Sequence, residues 1–201
     1  MRTKTMRTKT INYYNQNAQS FYDRTIHTDM SDSHAMFLKY LPQNASILDA
    51  GCGVGRDAKY FLSQGYAVTA FDASVEMVKK ASFETGLDVM HLTFDALDFS
   101  EAFDGVWAQA SLLHVPYDET LSIYQKMHKA LKPGGIFYAS YKYGSEFMPT
   151  EARDFYNMDE ATIKPYLHDL FDILAIWTRE ARNNIAPAPS GLWLHVVARK
   201  K

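Results

Sequence analysis

Asp49-Ala50-Gly51-Cys52-Gly53-Val54-Gly55 is the stretch of this chain on which the reading of its fold turns. Just before it, Ser46-Ile47-Leu48-Asp49-Ala50 is a short, largely apolar run that reads as a buried strand. Just after it, residues 57–64 carry Ala58, Tyr60, Phe61 and Leu62 at helical spacing, with Gly65 placed as a helix stop. Glycines at alternate positions let the backbone turn sharply and leave no side chain where a ligand must touch it. The turn feeds a helix N-terminus, whose free N–H groups suit a carboxylate or a phosphate.

Outward from this turn the pattern repeats. Residues 67–72 read as a strand, and Ser74 caps a helix to about residue 82, with Glu76 in its first turn. Residues 89–94 and 103–110 read as the third and fourth strands, the latter rich in aromatic and β-branched residues. An amphipathic helix over 117–131 closes at Lys132-Pro133-Gly134-Gly135, and residues 136–141 form a fifth strand. Such alternation implies right-handed βαβ units and a parallel sheet. Residues 171–179 and 192–199 break the pattern, because only a polar, proline-bearing loop separates them, so they should pair as an antiparallel hairpin at one edge. Ahead of the turn, residues 12–40 mix aromatic and polar residues and read as two helices, the second over 33–40 and ended by Pro42. The expected architecture is a Rossmann-like α/β three-layer sandwich whose mostly parallel seven-stranded sheet ends in an antiparallel β-hairpin.

Composition narrows the function classes. A chain of 201 residues suits one domain. A net charge of −2 gives no general field for nucleic acid or an anionic membrane. Cys52 is the only cysteine, so there is no intrachain disulfide and no cysteine-based metal site; a reducing, cytoplasmic setting fits. No apolar run approaches the roughly 20 residues that span a bilayer, and no apolar secretory segment is visible. The chain opens on MRTKT twice, and residues 1–11 are set aside as a basic tail, disordered or cloning-derived; residues 12–201 form the single domain.

The acidic residues around the turn select the ligand. Asp72 follows Gly51 by 21 positions, where an acid holds a ribose diol. A dinucleotide turn wants its third glycine at position 56, which is Arg56 here; the third glycine is Gly55. Asp49, just before the turn, would repel a pyrophosphate but suits an ammonium. Asp95, at the end of the third strand, can accept from an adenine amino group while Phe94 or Leu97 packs on the ring. Each acid alone could be a helix cap or a loop residue. Together they fit S-adenosylmethionine (SAM), which offers an ammonium, a carboxylate, a ribose and an adenine, and no phosphate. The expected cofactor residues are Asp49, Ala50, Gly51, Cys52, Gly53, Gly55 and Arg56 at the turn, Asp72, Ala73 and Met77 after the second strand, Phe94, Asp95 and Ala96 after the third, and Gln109 and Ala110 after the fourth.

On these residues the chain resembles the class I SAM-dependent methyltransferases. Residues 47–55 match the first motif of that family, 68–72 its acidic strand, Phe103-Asp104-Gly105-Val106-Trp107 its fourth-strand motif, and Leu131-Lys132-Pro133-Gly134-Gly135 the turn before strand five. The resemblance covers about residues 12–199 and implies SAM as cofactor, with the closing hairpin as that family's addition to a Rossmann sheet. Tyr13-Tyr14-Asn15, Phe21-Tyr22-Asp23-Arg24, Gly55-Arg56-Asp57 and the run from Ala110 to Pro116 are similar to small bacterial methyltransferases of small molecules, among them a tellurite-resistance-like subgroup. The family often carries a lid before its first strand, and Tyr13, Tyr14, Phe21 and Tyr22 stand there.

In a parallel sheet the ligand lies beyond the carboxyl ends of the strands. His114 is the candidate catalytic residue, able to take a proton from a hydroxyl, thiol or amine, with packing beside the cofactor as its bland alternative. Candidate acceptor-binding residues are Tyr14, Tyr117, Lys142, Tyr143, Arg153 and Trp193, with Arg153 and Phe155 in a mobile-looking loop. Two cations there suggest an anionic small molecule, although charges also serve solvated faces. The seven histidines show no ligand-pair spacing, so no metal is expected. A SAM binder without catalysis and an NAD-dependent oxidoreductase are the competing readings. No nucleic-acid or membrane partner is expected, and either a monomer or a homodimer is compatible with the sequence.

Overall fold

The computed structural model describes residues 2–180 and 191–201, with side chains from residue 8 onward. Three helices, α1 (Arg2–Gln16), α2 (Ala18–Thr25) and α3 (Ser31–Leu38), precede β1 (Ser46–Ala50). The repeating part follows: α4 (Arg56–Ser63), β2 (Ala67–Asp72), α5 (Val75–Thr85), β3 (Met90–His91), β4 (Phe103–Ala108), α6 (Tyr117–Ala130) and β5 (Leu131–Lys142). The chain ends with β6 (Phe147–Pro149), β7 (Asp154–Tyr156), α7 (Glu160–Leu167), β8 (Phe171–Glu180) and β9 (Leu192–Lys200). The main sheet has seven strands in the order β3-β2-β1-β4-β5-β9-β8. Pairing is parallel from β3 to β5 and antiparallel on both sides of β9. This is the expected sandwich with its closing hairpin; the proline-bearing loop at 181–190 lies outside the described residues.

Period-two alternation sorts the strands' side chains onto two faces. On one face Phe71, Val106, Phe137, Val196 and Ala198 pack with Ile123, Tyr124 and Met127 of α6. On the other, Ile47, Trp107, Tyr138 and Val197 pack with Phe37 of α3 and Phe61 of α4, and Trp107 stacks on Tyr138 with centroids 3.8 Å apart. Each large ring so buried contributes roughly 1.5–3 kcal/mol, which makes this aromatic face a firm floor beneath the sheet's carboxyl end.

The structure differs from the sequence reading in five places. Residues 12–40 hold parts of three helices, because Asn17 and the turn after Thr25 interrupt the backbone pattern. The third strand shrinks to Met90–His91, since Phe94–Ala96 coils into a 3-10 turn. Strand β5 begins at Leu131, whose pairing with Phe103 carries the strand across the Pro-Gly-Gly segment. Residues 147–156 form the small antiparallel pair β6–β7 where a loop was expected. The first helix also begins ahead of the boundary drawn at residue 12: Lys9 Nζ pairs with Asp154 Oδ1 at 2.9 Å and donates to the Thr150 carbonyl, and Thr10 is buried.

Candidate cofactor and acceptor cavity

One cavity of about 480 Å³ opens at the carboxyl ends of β1, β2, β4 and β5 and runs beneath α1 and α2. At its floor the backbone leaves β1 through Gly51, with φ +77°; a Cβ there would stand 2.6 Å from that of Ser111, so only glycine fits. Ser111 Oγ in turn donates to the Ala50 carbonyl at 2.7 Å, tying the β4 loop to the turn. Asp72 clamps the turn from the next strand, accepting from Gly53 N at 2.9 Å and from Ser74 N at 2.8 Å. Burial raises the Asp72 carboxyl above the ordinary carboxylate range, against the pull of those N–H donors.

Asp49 is 2% exposed, and its Oδ2 has no hydrogen-bond partner. Burial, and then the neighbouring Asp57, push its carboxyl well up. A buried carboxylate oxygen without a donor is costly unless a ligand supplies one. A Cβ on Gly53 would meet only the Phe21 ring, at 3.7 Å, so the turn leaves room for a ligand above it. Phe94, set edge-on to Phe71, and Met77 give an apolar surface beside these acids. An orphaned acid, an open glycine turn and a flanking aromatic fit the ammonium, ribose and adenine of SAM.

Asp57 behaves differently. It is also buried, but Arg56 binds it through two nitrogens at 2.8 and 2.9 Å, His34 Nε2 lies 2.9 Å away and Trp107 Nε1 donates at 3.0 Å. Although burial pushes its carboxyl up, Arg56 and His34 hold it well below the usual range.

The far side of the cavity carries cations. Lys142, at the end of β5, is 4% exposed and places Nζ 3.7 Å from the centre of the Phe155 ring. Burial, then Arg153, lowers its pKa to about 8. Arg153 lies over Tyr13 at 4.3 Å and Phe155 at 5.0 Å and donates to Tyr14 Oη at 3.3 Å. Among the described residues neither cation makes an ion pair. His114 Nδ1 donates to the Asp154 carbonyl at 2.7 Å, so Nε2 accepts from the Tyr14 hydroxyl at 2.9 Å. Burial lowers the His114 pKa to about 3, with Arg153 and Lys142 adding to that shift. The ring is neutral, and both nitrogens are engaged within the protein.

Most of the expected residues meet here: Asp49, Gly51, Cys52, Gly53, Arg56, Asp72, Ala73, Met77, Phe94, Asp95, Gln109, Ala110, His114, Tyr14, Lys142, Arg153 and Trp193 all line the cavity. Five do not line it: Ala50, Gly55, Ala96, Tyr117 and Tyr143. Gly55 serves packing, since a Cβ there would come within 3.0 Å of Ala81 Cα on α5. Tyr117 turns its hydroxyl to the Asn157 carbonyl at 2.7 Å. Tyr143 follows Lys142 by one residue and so faces the other way, towards Glu160 Oε2 at 3.0 Å. The sequence reading missed Arg179 and His195 as wall residues. His195 left one readable signal, a polar residue between Leu194 and Val196 in an otherwise apolar strand.

Residues 47–135 match the family model described as a methyltransferase domain. A malonyl-[acyl-carrier protein] O-methyltransferase of Enterobacter lignolyticus is 32% identical over 94 residues, covering 46% of this chain and 37% of that relative. The chain thus spans well under half the length of that curated relative. Among solved structures, the 1,6-didemethyltoxoflavin-N1-methyltransferase of Burkholderia thailandensis, with bound 1,6-didemethyltoxoflavin and S-adenosylhomocysteine, superposes with a TM-score of 0.75 at 24% identity, over 97% of this chain and 87% of that one. Magnesium protoporphyrin IX methyltransferase of Synechocystis PCC 6803, with bound SAM, does so with a TM-score of 0.73 at 21% identity, over 97% of both chains. Residues 47–135 are therefore similar to a methyltransferase domain, and the chain shares the fold of these solved methyltransferases. Among the described residues no helix is long and apolar enough to cross a membrane, and no cluster of His, Cys, Asp and Glu could hold a metal ion.

Proposed function

We propose that this chain, with a methyltransferase domain over residues 47–135, binds SAM and methylates an anionic small molecule. The observation that carries the reading is the sorting of charge along one cavity: among the described residues, Asp49 Oδ2 lacks a donor at one end, and Lys142 lacks an acid at the other. SAM, when bound, supplies a methyl group already activated by its sulfonium. Asp49 would hold the ammonium, Asp72 the ribose hydroxyls on the lone pairs its backbone donors leave free, and Asp95 with Phe94 the adenine. Cys52 takes no chemical part, because burial raises its thiol well above the ordinary range and keeps it protonated.

Lys142 and Arg153 would take the acceptor's anionic group, and Trp193 would wall it in. Two neighbouring cations in a half-closed cavity repel each other, so an anion between them relieves a cost already present in the fold. His114 contributes by holding the Tyr14 hydroxyl over the cavity, which makes it a positioning residue. With Tyr13, Phe21 and Tyr22, Tyr14 belongs to an N-terminal lid formed by α1 and α2; Asn15 Oδ1, accepting from Ser74 Oγ at 2.6 Å, anchors that lid to the start of α5. Orienting donor and acceptor and excluding water supply most of what methyl transfer needs. Residues 13–15, 21–24, 55–57 and 110–116 carry the likeness to small bacterial, tellurite-resistance-like methyltransferases, and the protein would act as a monomer or homodimer.

The test is release of S-adenosylhomocysteine from SAM over a panel of hydroxy-, amino- and mercaptobenzoates and their uncharged methyl esters. Turnover that favours the carboxylates, and loses that preference in Lys142→Met, is the expected result. Equal turnover of acids and esters would remove the anionic acceptor from the reading.

A further inference from the structure

We propose that His195 is the catalytic base of this site, taking the acceptor's O–H or N–H proton on its Nε2; this rests on the methyl-transfer reading above. The β5–β9 register sets Ser140 opposite His195 and Lys142 opposite Trp193, without a bulge. Directly paired residues, and residues two apart on one strand, share a face of the sheet. Tyr138, Ser140, Lys142, Trp193 and His195 therefore form one surface, and Lys142, Trp193 and His195 line the cavity. His195 stands one pleat, roughly 7 Å, below the level of Lys142. An acceptor whose anionic group sits at Lys142 would present a hydroxyl or amine about one ring-width away, near His195.

The tautomer follows from the hydrogen-bond chain. Tyr138 donates its single hydroxyl proton to Gln109 Oε1 at 2.5 Å. The contact between that hydroxyl and His195 Nδ1, at 2.7 Å, must then be donated by the ring. Nδ1 carries the proton and Nε2 holds a lone pair, to which nothing bonds among the described residues. The ring is packed against Trp177 with centroids 5.1 Å apart, so its orientation is set before any ligand arrives. His114 and His34 differ on this point, because Tyr14 occupies Nε2 of the first and Asp57 that of the second. Burial lowers the His195 pKa to about 4, which keeps the ring neutral and its lone pair open at neutral pH.

The step balances. The acceptor atom forms a bond to the methyl carbon, the carbon–sulfur bond breaks with its electron pair staying on sulfur, and the acceptor's proton moves to Nε2. Tyr138 and Gln109 are positioning residues that fix the ring's tautomer.

The test uses the full chain, labelled with ¹⁵N-histidine and bound to S-adenosylhomocysteine. Long-range ¹H–¹⁵N spectra read the tautomer, and His195→Asn assigns the signal, since its amide nitrogen can still donate to Tyr138. The expected result is an Nδ1–H tautomer. Iodoacetate, an anionic alkylating agent, should then carboxymethylate Nε2 of His195, and should do so at least about tenfold more slowly in Lys142→Met, as peptide mass mapping would read. An Nε2–H tautomer, or a His195 that iodoacetate leaves unmodified, overturns the proposal. For any acceptor that is turned over, His195→Asn should lower kcat by about 10²–10⁴-fold with little change in KM; an unchanged kcat overturns it too. Loss of SAM binding would instead break the methyl-transfer reading, and it would leave the tautomer and the alkylation as described.

Discussion

Among the described residues, Asp49 and Asp72 stand without an ion pair at the glycine-turn end of the cavity, and Lys142 and Arg153 do so at its far end. Asp57, a buried neighbour of Asp49, is by contrast bonded by Arg56, His34 and Trp107. The difference separates two uses of buried charge. Some charge along the cavity is matched inside the protein and holds the fold together, and some is left for a ligand to match.

The largest expected effect breaks the matched charge. Asp57→Ala leaves Arg56 and His34 buried without their acid and should destabilise the protein by about 3–5 kcal/mol. Thermal unfolding would read this as a fall of roughly 10 °C. An unchanged melting temperature would mean that this cluster carries no structural load and that the contrast with Asp49 is empty.

Lys142→Met should act in the opposite direction. Removing a buried cation without an acid among the described residues should stabilise the ligand-free protein by on the order of 1 kcal/mol. The same change should raise the KM of an anionic acceptor about tenfold or more. In the wild type, acceptor affinity should fall as pH rises through about 8, where Lys142 loses its charge. Destabilisation by Lys142→Met would show that the lysine is paired in solution.

Asp49 gives a subtler signature. Its folded pKa lies above the unfolded value, so it stabilises the ligand-free protein at low pH, and that contribution is lost as pH rises through the folded pKa. An ammonium ligand restores what is lost. The thermal shift produced by excess SAM should therefore grow as pH climbs above the ordinary carboxylate range, and Asp49→Asn should flatten the trend. A shift independent of pH in the wild type would contradict the assignment of Asp49 to the ammonium.

The smallest effect concerns the hinge between the two ends. Ala110 adopts φ +51°, a left-handed conformation that costs an L-residue about 1–2 kcal/mol. Its N–H donates to Ser140 Oγ at 2.9 Å, which holds the chain in that shape. Ala110→Gly should raise stability by up to about 1 kcal/mol in chemical denaturation, and a loss of stability would contradict the left-handed conformation.

The glycine-turn end was legible in the sequence because its parts are local. A strand, a glycine turn, a helix and an acid after the next strand lie within a few dozen residues, and their spacing has one geometric meaning. The acceptor end is assembled from α1, the β4 loop, β5, β7, β8 and β9, which only the register of the sheet brings together. Lys142, Arg153 and Trp193 were readable as candidates because a β/α sheet places its ligands beyond the strand ends. Tyr117 and Tyr143 were not separable from them, since a one-residue shift along a strand or the first turn of a helix reverses the facing side. His195 escaped because its role depends on Tyr138 and Gln109, 57 and 29 residues distant in the two links of that chain. The short strands β6 and β7, three residues each, carry too little pattern to read.

The most direct test of SAM as the ligand of the acidic end is isothermal titration of the purified chain with SAM and, separately, with NAD. Micromolar binding of SAM that weakens by about 100-fold in Asp72→Ala, which removes charge-assisted hydrogen bonds to the ribose and the clamp on the turn, with no heat from NAD, is the expected result. Folded, ligand-free protein that binds NAD and gives no heat with SAM would contradict it.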